Sequence, residues 1–130
     1  MYIKYEWQKK YNSKSTDFLE MSLERILYYE LEARFTIESD DNQKFSEDSV
    51  PIYSIVKAFK DDKLGDLEIN LDGWGCNPFL VIKQHGSKIR VKNSFIDFEC
   101  EKDDYVLELE KFISCVEKDI NKMGFMPEWP

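Results

Sequence analysis

His85, Cys76, Cys100 and Cys115 are the side chains in this sequence that most readily suit nucleophilic or soft-metal chemistry. A thiol becomes a nucleophile when a neighbouring base or positive charge holds it as thiolate and water can reach it. His85 lies in the stretch Gln84, His85, Gly86, Ser87, which reads as a hairpin turn. Cys76 follows a glycine, so a Cys76–His85 pair is the one dyad open to this chain. A turn histidine with no chemical role is the simpler reading. Cys100 and Cys115 fall on or near the expected core faces of their elements, where burial leaves a thiol inert.

Metal ligation needs His, Cys, Asp or Glu at set spacings. The runs Asp40, Asp41, Asn42 and Asp61, Asp62 are too short for a calcium loop and read as solvated turns. Gly73, Trp74, Gly75, Cys76 lacks the lysine of a phosphate-binding loop and the glycine order of a dinucleotide fingerprint. No two carboxylates are marked by sequence as an acid–base pair. The expectation is therefore no catalytic residue, no metal, no cofactor and no enzyme activity.

The chain has 130 residues, the size of one domain, and 1–130 is read as a single unit. No repeat, linker or change of composition divides it. Hydrophobic residues make up 42% of it, enough for a core without disulfide or metal staples. The cysteine count is odd and no CxxC spacing occurs, which points to free thiols in a reducing compartment. No long apolar run predicts a membrane span, and residues 1–7 do not read as a signal peptide. A soluble cytoplasmic protein is expected.

The elements that would position any site follow from periodicity. Residues 2–8 alternate, with Ile3, Tyr5 and Trp7 on one side. Residues 18–23 read as either a strand or a helical turn. The longest alternation spans 27–38: Tyr29, Leu31, Ala33, Phe35 and Ile37 share one face, and Glu30, Glu32, Arg34, Thr36 and Glu38 the other. Ser49 and Pro51 read as a helix start, followed by Ile52, Ile55, Val56 and Phe59 at helical spacing. Strands are expected at 66–72, 79–83, 88–92 and 95–101. A helix is expected at about 104–123, with a stripe of Leu109, Phe112, Ile113, Val116, Ile120 and Met123, a cap at Asp103 or Asp104, and a stop at Gly124. The fold class is α+β: an antiparallel sheet of about five to six strands with two helices packed on one face.

Acids outnumber bases 26 to 18, a formal charge of −8. That balance disfavours phosphate backbones and anionic membranes, and favours capture of a basic protein. Alternation places Glu30 and Glu32, Asp66, Glu68 and Asp72, and Asp97, Glu99 and Glu101 on the solvent sides of their strands. In one sheet these eight would converge, with Trp74 at the edge as an anchor. Lys88, Arg90 and Lys92 offer the other outcome: lying between acidic strands, they would make the face a lattice of exposed ion pairs.

A short acidic α+β chain carrying these acids, with Asp72, Gly73, Trp74 and Gly75 beside them and no catalytic set, resembles the immunity proteins of bacterial toxin–immunity systems, including those of contact-dependent growth inhibition and polymorphic toxins. The resemblance is one of type, spread over the whole chain. It implies a cytoplasmic protein that binds a cognate toxin domain, often a basic nuclease, and occludes its active site. It transfers no functional residue. Two other classes remain open: a small enzyme or ligand-binding protein using a pocket between helix and sheet, and a structural or phage-type oligomeric subunit.

Overall fold

The computed structural model describes residues 1–62, 66–71 and 76–125. The strand β1 (Tyr2–Trp7) pairs antiparallel with β2 (Glu32–Glu38), which pairs with β3 (Lys44–Pro51). A second antiparallel sheet has the order β4 (Asp66–Ile69), β5 (Leu80–His85), β6 (Lys88–Lys92), β7 (Asp97–Glu101). The helix α1 (Leu23–Arg25) runs into a π-helical turn, Ile26–Glu30, ahead of β2. The helix α2 (Ile52–Lys60) leads from the first sheet to the second, and α3 (Lys102–Lys122) follows β7 directly. The α+β class holds, but the strands form two sheets of three and four rather than one.

Four aromatic rings tie these layers together. Phe35 of β2 is fully buried and lies 5.7 Å from Phe79 and 6.0 Å from Phe112 of α3, centroid to centroid. Phe59 of α2 meets Phe112 at 6.0 Å. A buried aromatic ring removes a large apolar area from water, so this cluster is the centre of the core. Where the sheets approach each other, Gln43 Oε1 accepts from the Asp97 amide at 2.8 Å.

Local chemistry explains three departures from the expected elements. Residues 27–38 are not one strand. Ile26 and Leu27, adjacent in sequence, are both buried within the π-helical turn. Ser22 caps the helical segment by accepting from the Arg25 amide at 3.1 Å, and the Leu31 amide closes a wide turn onto the Ile26 carbonyl, also at 3.1 Å. Tyr29, expected in the core, is exposed, and Thr36, expected outside, is buried and shares a hydrogen bond with Ser46 at 2.9 Å.

The strand β3 has no counterpart in the periodicity. Its buried residues Phe45 and Val50 are five apart, an odd spacing that breaks strict alternation. A register shift between Ala33 and Phe35 absorbs the extra residue, so Phe45 faces Ile37 and Val50 faces Ala33. Ser49 therefore lies in a strand and caps no helix; α2 begins with Pro51 at the cap position.

The third departure concerns the ends of β7 and α3. Asn93 Oδ1 accepts from the amides of Phe95 and Ile96 at 2.7 and 3.0 Å, a turn that delays the strand to Asp97. Glu101 takes the N-cap position of α3 without a side-chain bond. Asp103 and Asp104 fall in the first turn instead, where a carboxylate still complements the helix dipole. Gly124 does stop the helix, at φ +95°, and a Cβ there would run into the Ser13 side chain.

Candidate functional site

The acids singled out by sequence do not share one face. Asp66 and Glu68 lie on β4 and Asp97, Glu99 and Glu101 on β7, the two edges of the four-stranded sheet. The bases of β5 and β6 stand between them. Across the strands Asp66 faces Lys83, Lys83 faces Arg90, and Arg90 faces Glu99; Lys88 faces Glu101 and Lys92 faces Asp97. Lys83 Nζ lies 2.7 Å from Asp66 and holds that carboxyl below its ordinary range, chiefly by hydrogen bonding. Arg90 does the same to Asp97 through bonds of 2.8 and 2.6 Å. This outer face is the ion-pair lattice.

Glu32 belongs to the other sheet, where its backbone carbonyl accepts from the Gln8 amide and the Tyr11 hydroxyl. Glu30 sits in the π-helical turn, 3.3 Å from Arg25. Asp72, Trp74 and the C-terminal 126–130 lie outside the described residues.

The thiols and the histidine are dispersed. Cys76 precedes β5 and His85 ends it, so a six-residue strand, roughly 20 Å, separates them. Cys76 is half-buried and points its thiol at the Phe79 carbonyl, 3.9 Å away. Cys115, expected on or near the core face of its helix, is instead exposed on α3. His85 Nδ1 lies 3.2 Å from Glu99, within the lattice. Among the described residues no group of three or more His, Cys, Asp or Glu side chains is placed to hold a metal ion. No helix among them is long and apolar enough to cross a membrane.

Exposed apolar surface concentrates elsewhere. Leu19 (72% exposed), Leu23 (40%) and Tyr29 (63%) all fall in residues 19–30, among Glu20, Glu24 and Glu30. This ridge is anchored on α2. Tyr28 packs edge-on against Tyr53 at 5.1 Å, and the Ser54 hydroxyl donates to the Tyr28 carbonyl at 3.3 Å. Ile26 and Leu27 pin it from beneath.

Between the ridge, α2 and the end of β4 runs a groove of about 690 Å³, lined by Glu24, Tyr28, Tyr29, Ala58, Glu68 and Leu71 among others. Among the described residues no lysine or arginine lines it. Glu68 faces Val81 directly across the sheet, with Lys83 near enough to feel its charge. On the far side of Tyr29 a second hollow contains Glu24, Arg25 and Glu30. Tyr29 is thus the rib between two concavities rimmed by carboxylates.

Sequence reasoning assigned Glu30 and Glu68 to a partner surface and missed Tyr29, Leu23 and Glu24. The signal available was local: Ser22 three residues before Arg25, and the adjacent apolar pair Ile26 and Leu27. No family model matches the chain, and comparison with curated proteins and with solved structures yields no match.

Proposed function

We propose that this protein is a binding module that captures a basic protein partner, using the ridge of Leu19, Leu23 and Tyr29 and the acidic groove beside it. Tyr29 carries the reading: a tyrosine 63% exposed, between two hollows, above a groove whose described lining holds Glu24 and Glu68 and no lysine or arginine. An aromatic ring with a polar tip is a common anchor at interfaces, and carboxylates at its rim favour a cationic surface and speed its approach. The action is occlusion: the ridge covers the partner and performs no bond chemistry. Neutralisation of a basic toxin domain, as by an immunity protein, is the form of this activity that the acidic balance and the size of the chain suit best. A ligand-binding role would use the same groove, since it lies between helix and sheet.

A photo-crosslinking residue at position 29, compared with one at the exposed position 95, tests this in the host cell. The ridge reading expects a basic protein joined through position 29 and not through 95. With that partner purified, Tyr29→Ala should weaken binding by about 2 kcal/mol. Glu24→Lys with Glu68→Lys should slow association and flatten its salt dependence, while Glu99→Lys does neither. Crosslinks through 95 alone, or a strong effect of Glu99→Lys with none from Tyr29→Ala, would move the interface away from the ridge.

A further inference from the structure

A third concavity, at the C-terminal end of β1, is lined by more bases than acids. It measures about 620 Å³ and its described lining includes Trp7, Tyr11, Lys9, Lys10, Lys122 and Asp119. That volume lies within the range of small-molecule sites. Lys9, Lys10 and Lys122 form no ion pair among the described residues. Lys9 instead lies over the Tyr11 ring, 5.5 Å from its centroid. Within the lining the three lysines outnumber the one carboxylate, Asp119, although Glu30 and Glu32 also act electrostatically on Tyr11.

The aromatic wall is held firmly. Trp7 meets Tyr5 edge-on at 5.6 Å and Tyr11 at 6.0 Å. The Tyr11 hydroxyl accepts from the Glu32 amide and donates to the Glu32 carbonyl. Tyr5 Oη and Trp7 Nε1 both donate to one oxygen of Asp119, Oδ2, at 2.6 and 2.9 Å. The other oxygen, Oδ1, accepts no hydrogen bond among the described residues. A bare anion gains from the lysines and loses to Asp119. A ligand with a phosphate at one end and N–H donors on a flat ring at the other satisfies both.

We propose that this hollow binds a phosphorylated ligand carrying a planar ring with N–H donors, of which a purine nucleoside monophosphate is the simplest case. The phosphate sits among Lys9, Lys10 and Lys122, the ring lies along Trp7, and Asp119 Oδ1 accepts from the ring's N–H edge. Lysine–phosphate attraction and aromatic contact with a base are general features of such recognition.

Titration of the whole protein with guanosine monophosphate, adenosine monophosphate and inorganic phosphate, followed by amide and indole NMR, tests the proposal. The Trp7 indole resonance is identified by Trp7→Phe. The expected result is a saturable shift of that resonance and of the Lys9 and Lys10 amides with nucleotide, and a much smaller one with phosphate alone. Lys9→Glu with Lys10→Glu should weaken binding by about tenfold or more while leaving the ligand-free Trp7 resonance in place. Asp119→Asn should narrow the gap between nucleotide and phosphate. No Trp7 shift at millimolar nucleotide, equal response to phosphate and nucleotide, or undiminished binding by the lysine variant would each overturn it.

Discussion

Arg90 reaches diagonally from β6 to Asp97 on β7, with Nε to Oδ1 at 2.8 Å and Nη2 to Oδ2 at 2.6 Å, although Glu99 is its cross-strand neighbour. The fork satisfies both carboxylate oxygens, a geometry only arginine supplies. Its consequence is functional as well as structural. An acid so engaged contributes little to the field that a partner meets, and the same holds for Asp66 beside Lys83.

The first prediction concerns pH. The folded protein holds Asp97 below its ordinary value, through hydrogen bonding to Arg90. A lowered folded value stabilises the fold above the unfolded carboxylate range, and that contribution is lost as pH falls through the folded value. Both groups are solvent-exposed, so the effect on stability is small and weakens with salt. Carboxyl NMR titration should place the Asp97 midpoint below about 3.9 in the parent and near it in Arg90→Ala. An unchanged midpoint would show that the fork is absent in solution.

The second prediction separates the thiols. Burial pushes Cys100 up to about 11, while Cys115 lies open on α3. Iodoacetamide at pH 8 should label Cys115 first and leave Cys100 to react only in denaturant or at far higher pH. Peptide mass mapping after brief exposure reads this directly. Equal labelling of the two in the folded protein would contradict the packing of β7.

A third prediction contrasts two phenylalanines. Phe35 is fully buried against Phe79 and Phe112, so Phe35→Ala should cost about 3–5 kcal/mol of unfolding free energy. Phe95 is 69% exposed and, among the described residues, stacks on Phe45 at 5.8 Å, so Phe95→Ala should cost less than about 1 kcal/mol. Urea titrations of the two variants measure both. Comparable losses would mean that the core does not centre where the aromatic cluster lies.

Periodicity was informative where burial has a single side. In β1, Ile3 is buried and Lys4 and Glu6 are exposed, as alternation requires. In α3, the helical spacing of Leu109, Phe112, Val116 and Ile120 marks the buried stripe. The same rule misled at 27–38, because Tyr29 extends the alternation of β2 into a segment that folds as a helix. It was blind to β3, whose two core residues stand on opposite parities until the bulge reconciles them.

Residue order alone was enough to show which sides of β1, β4, β6 and β7 carry charge, where α3 stops, and that acids exceed bases. Local stereochemistry and side-chain solubility are enough for that. Only the tertiary structure decided that the acidic strands β4 and β7 lie at the edges of a sheet with bases between them, and that Tyr29 stands out above a groove. Strand order depends on pairing between residues far apart in the chain, chosen by the packing of the whole core. The neighbours of a charge, and so its availability to a partner, are set at that level.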